Sequence, residues 1–250
     1  YRKFLPHINN NYDFAEMMSE LLGELNVSHT GARYYGDSGV DNPSRTAQLG
    51  VLYDLDYDGK GVKIDEVLVN GPLFGLDPEI IPGTLIEKIN GRDITAETGL
   101  SQLLDGVAGK RTLLTVRIPG EKDSREIVVK PISAGAQSGL LYKRWIAARA
   151  ADVDRWSNGR LGYVHISSMD DNSLRKVYSD LLGKYNDRDG VVIDIRWNGG
   201  GRLHEDIEVL FSGEKYFTQE IRGFETCDMP SRRWNKPSIM LMSEACYSNA

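Results

Sequence analysis

The first apolar pattern in the chain has the spacing of a helix. Asn11 or Asp13 supplies an N-cap, and residues 23–26 end the pattern. Its apolar members lie three or four positions apart: Phe14, Met17, Met18, Leu21, Leu22 and Leu25. We therefore predict an amphipathic helix with one face on a core. A linker rich in Gly, Asp, Ser and Asn follows over residues 34–45.

A strand-rich unit begins after this linker. Short apolar runs bounded by glycine, proline and Asn-Gly turns surround one helical segment. The predicted strands cover residues 49–55, 62–69, 83–91, 112–118 and 125–130, and the helix covers 97–104. Several strands around one short helix indicate a small, partly open β-barrel.

The rest of the chain alternates between helix and strand. A helix begins at Ser138 and ends at residues 157–159. Then come a strand at 161–166, a helix at 174–185, a strand at 190–196, a helix at 207–211 and a strand at 239–242. This order predicts an α/β core whose sheet has helices on both faces and ligands beyond the carboxyl ends of its strands.

The pattern predicts a core interrupted by an inserted domain. We expect an N-terminal helical part of the core at 1–46, the barrel at 47–133 and the main α/β core at 134–250, incomplete at its C-terminus. Because the chain begins at Tyr1 rather than at a methionine, we also expect a processed or excised piece of a longer protein.

Composition narrows the classes of function. Of the 250 residues, 40% are hydrophobic and 26% are charged, which is ordinary for a globular protein. The formal charge of −6 argues against a nucleic-acid partner. No apolar stretch is long enough to span a bilayer. Cys227 and Cys246 are too few for a disulfide framework.

Three loops that adjoin predicted helices or strands contain residues suited to catalysis or anion binding. Residues 191–201 run from a strand into three glycines, whose N–H groups can approach a phosphate or an oxyanion. The spacing of a phosphate-binding loop is missing, which leaves an oxyanion site or a flexible turn. Ser248 lies just past the last predicted strand, where a nucleophile can be held. His29 follows the first helix and is either a catalytic side chain or an ordinary surface histidine.

Two metal-binding alternatives have weaker support. Three residues resemble the start of a calcium-binding loop: Asp54, Asp56 and Asp58. Strand-like runs flank them and the last loop position is Asp65 instead of glutamate, so we predict a hairpin tip. A metal-dependent hydrolase would use three histidines: His29, His165 and His204. They lack a metal-ligand spacing, and His165 lies inside an apolar strand, where we expect a core residue.

The order of these motifs along the chain resembles that of a known family, although no single motif is specific to it. Ser28-His29 follows a helix, a barrel is inserted next, Asn-Gly-Gly-Gly ends a strand, and a serine follows the last strand. In that order the pieces resemble the tricorn-type branch of the C-terminal processing (tail-specific) serine peptidases. The matching segments are residues 22–29, 83–91 (the signature of a PDZ domain), 162–166, 194–201 and 243–250.

The resemblance implies a role for each matching residue and no cofactor or metal. Ser248 matches the nucleophile, His29 the general base, and Ser28 a serine that assists the site. The N–H groups of Gly201 and Asn249 would bind the oxyanion, because acyl transfer places negative charge on the carbonyl oxygen. A related branch uses a Ser-Lys pair, so a lysine base is an alternative against which Ser28-His29 argues.

The resemblance also implies substrate contacts. Gln219, with Glu220 beside it, matches the acidic position through which tricorn favours basic substrate residues. Because Gln219 carries no charge, the resemblance does not by itself imply a basic preference. In the PDZ-like domain, Leu49, Gly50 and Val51 form the candidate loop for a peptide carboxylate.

Peptides are the expected substrates, and a homo-oligomer is a further expectation. We expect the family's fourth catalytic residue, a glutamate, to lie beyond residue 250, and β-propeller domains to precede the core. The compartment is open between export and cytoplasm, with export favoured. The sequence thus predicts a serine endopeptidase acting on unfolded peptides or oligopeptides. The alternative is a catalytically degenerate protein that binds peptides through the PDZ-like domain.

Overall fold

A computed structural model describes residues 1–27, 29–36 and 45–250. Ser28 and most of the predicted linker lie outside the described residues. The chain divides into two compact units, Tyr1–Arg45 and Thr46–Ala250.

The N-terminal unit is helical. A 3₁₀ helix at Arg2–His7 precedes α1 at Asn11–Gly23. The cap of α1 is Asn10, whose side chain accepts a hydrogen bond from the N–H of Asp13 at 2.9 Å, so the predicted start was one to three residues late. No α1 residue is buried in the described structure, and its predicted apolar face is partly exposed.

The strand-rich unit has the predicted barrel elements. They are β1 (Val51–Tyr53), β2 (Val62–Val67), β3 (Leu85–Ile89), β4 (Arg92–Asp93), α2 (Leu100–Leu103), β5 (Thr112–Arg117) and β6 (Arg125–Val129). Strands β1, β2, β3, β5 and β6 pair antiparallel in that order, and β4 pairs with β3. A single bridge between Gln48 and Ile132 joins the two ends of the sheet. This closure at one point makes a partly open barrel, as predicted.

Alternating apolar side chains fill the barrel. Leu49, Ile64, Ile86 and Leu114 have no exposed surface. Burial of each such side chain stabilises the fold by about 1.5–3 kcal/mol. Loop 54–61 joins antiparallel β1 and β2, so the aspartates there lie in a hairpin connection.

The second half of Thr46–Ala250 is the α/β core. Its elements are α3 (Ala134–Trp156), β7 (Leu161–His165), α4 (Asp171–Ser179) continuing into a π-helical turn (Asp180–Lys184), β8 (Gly190–Asp194), α5 (His204–Ser212), β9 (Phe217–Ile221), β10 (Phe224–Met229) and β11 (Ser238–Leu241). Strands β11, β8 and β7 form a parallel sheet in that order. Strands β9 and β10 form a separate antiparallel hairpin, which was not predicted from the sequence.

Helices cover both faces of the parallel sheet, as predicted. Val164 and Ile166 join a buried cluster with residues of α4 and α5. His165, between them in the chain, instead contacts Tyr142 and Trp145 of α3. Because successive strand residues point to opposite faces, α3 lies on one face and α4 and α5 on the other. The carboxyl ends of all three strands therefore meet at one edge, where three loops converge.

Candidate active site at the carboxyl edge of the sheet

The glycine loop after β8 has a backbone conformation that favours glycine. Gly200 has φ +79°, in the left-handed region that costs other residues about 1–2 kcal/mol. A Cβ added there would lie 2.6 Å from the Cβ of Ser248 and 2.6 Å from the carbonyl oxygen of Tyr247. The loop is therefore in contact with the segment that carries the predicted nucleophile.

Hydrogen bonds join the serine segment, or serine loop (residues 243–250), to the glycine loop (residues 195–201) on both sides of Ser248. The Tyr247 N–H donates to the carbonyl of Asn198 at 2.9 Å. The Asn249 side-chain amide donates to the carbonyl of Gly201 at 3.0 Å. Ser248 itself is exposed and has φ +58°. Such a strained serine between anchored neighbours is typical of a sharp turn that presents a nucleophile.

The hydrogen bonds of the loop distinguish among its three glycine amides. Gly199 N–H donates to the Ser167 carbonyl at 3.3 Å, and Gly200 N–H donates to Asn198 Oδ1 at 2.7 Å. Within residues 1–27, 29–36 and 45–250, the N–H groups of Gly201 and Asn249 donate to no protein acceptor. These two unpartnered amides are the pair predicted to bind an oxyanion.

An ion pair at the end of β8 supports the base of the loop. Asp194 has no exposed side-chain surface and accepts hydrogen bonds from Arg196 Nη2 at 2.6 Å and the Tyr163 hydroxyl at 2.7 Å. Burial alone raises the pKa of Asp194, but hydrogen bonds from Arg196 and Tyr163 outweigh it and leave that pKa below its ordinary value. The carboxylate is thus ionised and fixed directly before the loop.

Two tryptophans enclose the guanidinium of this ion pair. The Arg196 guanidinium lies 5.1 Å from the ring of Trp145 on α3 and 5.4 Å from the ring of Trp197 in the loop. Both distances are within the range of cation–π contacts. This cluster was not predicted from the sequence. The Asp-x-Arg spacing at a strand end was its only signal.

His165 lies beneath the same cluster and is a core residue, as predicted. Its Nε2 is hydrogen-bonded to the hydroxyl of Tyr142, and its Nδ1 lies 3.9 Å from Asp194 Oδ1. Burial lowers the pKa of His165 below its ordinary value. The ring is therefore neutral at pH 7.

His29 lies in the N-terminal unit, on the turn that follows α1. It is exposed, with φ +62°. The next residue, Thr30, donates its hydroxyl to the carbonyl oxygens of Leu22 at 3.2 Å and Val27 at 3.3 Å, which fixes the turn on the helix end. Because His29 and Ser248 belong to different units, their catalytic pairing stays a prediction, and the role of Ser28 lies outside the described residues.

The comparisons with known proteins agree with this arrangement. Residues 160–250 match the model of Peptidase family S41, and residues 49–134 match that of the Tricorn protease PDZ domain. The chain belongs to the tricorn-type peptidases of family S41. The serine and glycine loops lie in the S41 match, and the barrel lies in the PDZ match.

Relatives of this S41 chain are much longer. It is 32% identical over 213 residues to Tricorn protease homolog 1 of Streptomyces coelicolor and 27% identical over 218 residues to the Tricorn protease of Thermoplasma acidophilum. These alignments cover 82% and 80% of the chain, which spans 19% of each relative. A crystal structure of the tricorn protease matches with a TM-score of 0.73 at 23% identity, over 98% of this chain and 24% of that one. That likeness shows the fold.

In the tricorn-type PDZ domain, the predicted carboxylate loop already has a partner. Leu49 and Val51 are buried. The Gly50 N–H donates to Gln137 Oε1 on α3 at 3.0 Å, and Gln137 Nε2 donates to Gln48 Oε1 at 3.1 Å. The side chain of Gln137 therefore holds the amide that a peptide carboxylate would need.

The remaining predicted substrate residues lie on the β9–β10 hairpin of this S41 chain. Gln219 and Glu220 are both in β9, and Gln219 Oε1 accepts a hydrogen bond from Cys227 Sγ at 3.4 Å. Among the described residues, no hydrogen bond joins either residue to the serine loop or the glycine loop. Their contact with a substrate stays a prediction.

Two further features bear on ligands. In the part of the chain that the structure describes, no three His, Cys, Asp or Glu side chains converge as metal ligands, and no helix is long and apolar enough to cross a bilayer. A cavity of about 630 Å³ extends from Asn249 between the sheet and α5. Its lining is mainly apolar and includes Ile166, Met169, Ile193, Ile195, Ile207 and Phe211.

Proposed function

We propose that this chain contains the nucleophile and oxyanion site of a serine endopeptidase that hydrolyses unfolded peptides or oligopeptides. The observation that carries the proposal is the pair of unpartnered amides, Gly201 N–H and Asn249 N–H, next to the strained Ser248. Membership of the tricorn-type S41 peptidases agrees with it.

In the proposed reaction, Ser248 Oγ attacks the scissile carbonyl carbon while His29 takes the hydroxyl proton. The carbonyl oxygen becomes an oxyanion and accepts hydrogen bonds from Gly201 and Asn249. Collapse breaks the C–N bond, and His29 gives its proton to the leaving amine. Water, deprotonated by His29, then hydrolyses the acyl-enzyme. Loss of one oxyanion donor typically lowers the rate by a factor of about 10²–10³. We further propose that Ser28 assists catalysis.

The cavity beside Asn249 supports a preference for apolar substrate residues. It lies next to the proposed oxyanion site, and its lining is mainly apolar. A lysine or arginine side chain would lose most of its hydration against these apolar groups, and Glu208 is the only acidic residue among the described lining residues that could pair with it. We therefore propose that an apolar residue precedes the scissile bond. Gln219 and Glu220, which lie on β9 after α5 in the chain, remain proposed substrate contacts.

The alternative function is peptide binding without cleavage, through the PDZ-like domain. A PDZ domain holds a peptide carboxylate with backbone N–H groups. Because Gln137 accepts the Gly50 N–H at 3.0 Å, the described arrangement does not favour this alternative. Homo-oligomers, β-propeller domains and export of the protein also stay predictions.

The test is a cleavage assay of the full-length protein on an unfolded protein and on peptides, with products identified by mass spectrometry. Ser248→Ala should lower the cleavage rate by at least about 10³-fold. The matched control is Ser243→Ala in the same loop, because among the described residues the Ser243 hydroxyl makes a single hydrogen bond, a long one of 3.4 Å that it accepts from Trp197 N–H. Equal cleavage by wild type and Ser248→Ala, or loss of activity with a chelator, would contradict the proposal.

A further inference from the structure

We propose that Asn198 is a positioning residue that decides which glycine amide binds the oxyanion and fixes the serine segment to the glycine loop. The inference rests on the proposed peptidase function. Asn198 has no exposed surface and is one of the few fully buried polar residues described. A buried amide must have hydrogen-bond partners. The partners of Asn198 lie at the end of β7, in the glycine loop and in the serine segment.

The side chain of Asn198 connects β7 to the glycine loop. Its Nδ2 donates to the carbonyl of Ile166, just past β7, at 2.9 Å. Its Oδ1 accepts from the N–H of Gly200 at 2.7 Å. One partner is an obligatory acceptor and the other an obligatory donor, so the orientation of the amide is fixed.

The backbone of Asn198 connects the same residue to the serine segment. Its carbonyl accepts from the N–H of Tyr247, next to Ser248, at 2.9 Å. Its own N–H donates to the carbonyl of Ile195 at 2.9 Å. A single buried residue therefore holds the end of β7, the glycine loop and the serine segment in one arrangement.

This arrangement sets the direction of the Gly201 amide. The Gly200 carbonyl accepts from Met169 N–H at 2.8 Å and from the Ser168 hydroxyl at 3.1 Å. In a trans peptide the carbonyl and the following N–H point in opposite directions. The Gly201 N–H thus points away from residues 168–169. Because Asn198 occupies the Gly200 N–H, Gly201 is the glycine amide that remains for an oxyanion.

The test compares Asn198→Ala with Thr112→Val in the full-length protein. Thr112 is also fully buried, and its hydroxyl donates to the Lys110 carbonyl at 3.2 Å, but it lies in the barrel. Asn198→Ala removes two buried side-chain hydrogen bonds and Thr112→Val removes one, so both substitutions lower stability. Only Asn198→Ala should lower kcat, by about 10²-fold as expected for a misplaced site, with KM changed less than about threefold.

A second variant and a second measurement separate positioning from folding. In Asn198→Asp, the protonated carboxyl has the donor and acceptor of the native amide, so kcat relative to wild type should rise as the pH falls. Hydrogen exchange of the glycine-loop and serine-loop peptides should accelerate in Asn198→Ala and not in Thr112→Val.

The possible outcomes distinguish this inference from the proposed function. An active wild type, with kcat of Asn198→Ala unchanged in the folded fraction, would overturn the inference alone. Unchanged hydrogen exchange of the two loops would also overturn it. A wild type that neither cleaves peptides nor reacts with a fluorophosphonate would overturn the proposed function, and this positioning role with it.

Discussion

Replacing Gly200 with alanine tests whether the glycine loop and the serine segment form one site. The added Cβ would lie 2.6 Å from Ser248 Cβ and 3.0 Å from Asn249 N. Carbon atoms pack at about 3.5–4.0 Å, so one segment must move by about 1 Å. The φ of +79° adds strain of about 1–2 kcal/mol. Because a 1 Å misplacement typically costs about 10² in rate, we expect kcat to fall at least that far.

Gly199→Ala is the matched control one residue earlier. No atom lies within 4 Å of the corresponding Cβ, and the backbone there is not left-handed. We expect less than about 0.5 kcal/mol change in stability and roughly wild-type kcat. The assay is steady-state peptide cleavage, with circular dichroism to confirm folding. Equal activity of Gly200→Ala and Gly199→Ala would refute the close contact between the two loops.

Three further predictions concern the supports of the site and the PDZ-like domain. Gln137→Ala should free the Gly50 N–H, so peptides with a free C-terminal carboxylate should bind at least about tenfold more tightly than their amidated forms in a titration; equal affinity would contradict this. Arg196→Met should lower the free energy of unfolding in a denaturant titration by about 3 kcal/mol, because it leaves a buried carboxylate unpaired, whereas Arg160→Met breaks an exposed pair and should cost under about 1 kcal/mol. His165 has a folded pKa below its unfolded value of 6.5, so its contribution to stability is complete above pH 6.5 and is lost as the pH falls towards the folded pKa. His165→Gln should remove this pH dependence, a slope of at most about 1.4 kcal/mol per pH unit, from the free energy of unfolding measured between pH 7 and 5. An unchanged slope would refute the lowered pKa of His165.

The sequence predicted the elements of the parallel sheet because their signals are local. Short apolar runs gave β7, β8 and β11, and glycines after β8 marked the loop at their carboxyl ends. The order of the motifs, more than any one of them, indicated the family. The hairpin of β9 and β10 was missed because its side chains are mostly exposed and show no apolar alternation.

The supports of the site could not be predicted, because their partners are distant in the chain. Gln137 is 87 residues from Gly50, whose N–H donates a hydrogen bond to it. Asn198 depends on Ile166 and Tyr247, which only the fold brings together. Local patterns do not carry such pairings. The prediction that one face of α1 packs on a core was wrong for the described residues, of which none in α1 is buried. A periodic apolar face does not indicate which element covers it.

The proposed function requires that Ser248 is a nucleophile activated at an oxyanion site. The most direct measurement is reaction of the full-length protein with a fluorophosphonate, followed by mass spectrometry of the digested protein. We expect one covalent adduct per chain, on Ser248, and none on the Ser248→Ala variant. No adduct on the folded wild type, or an adduct on another serine that persists in Ser248→Ala, would contradict it.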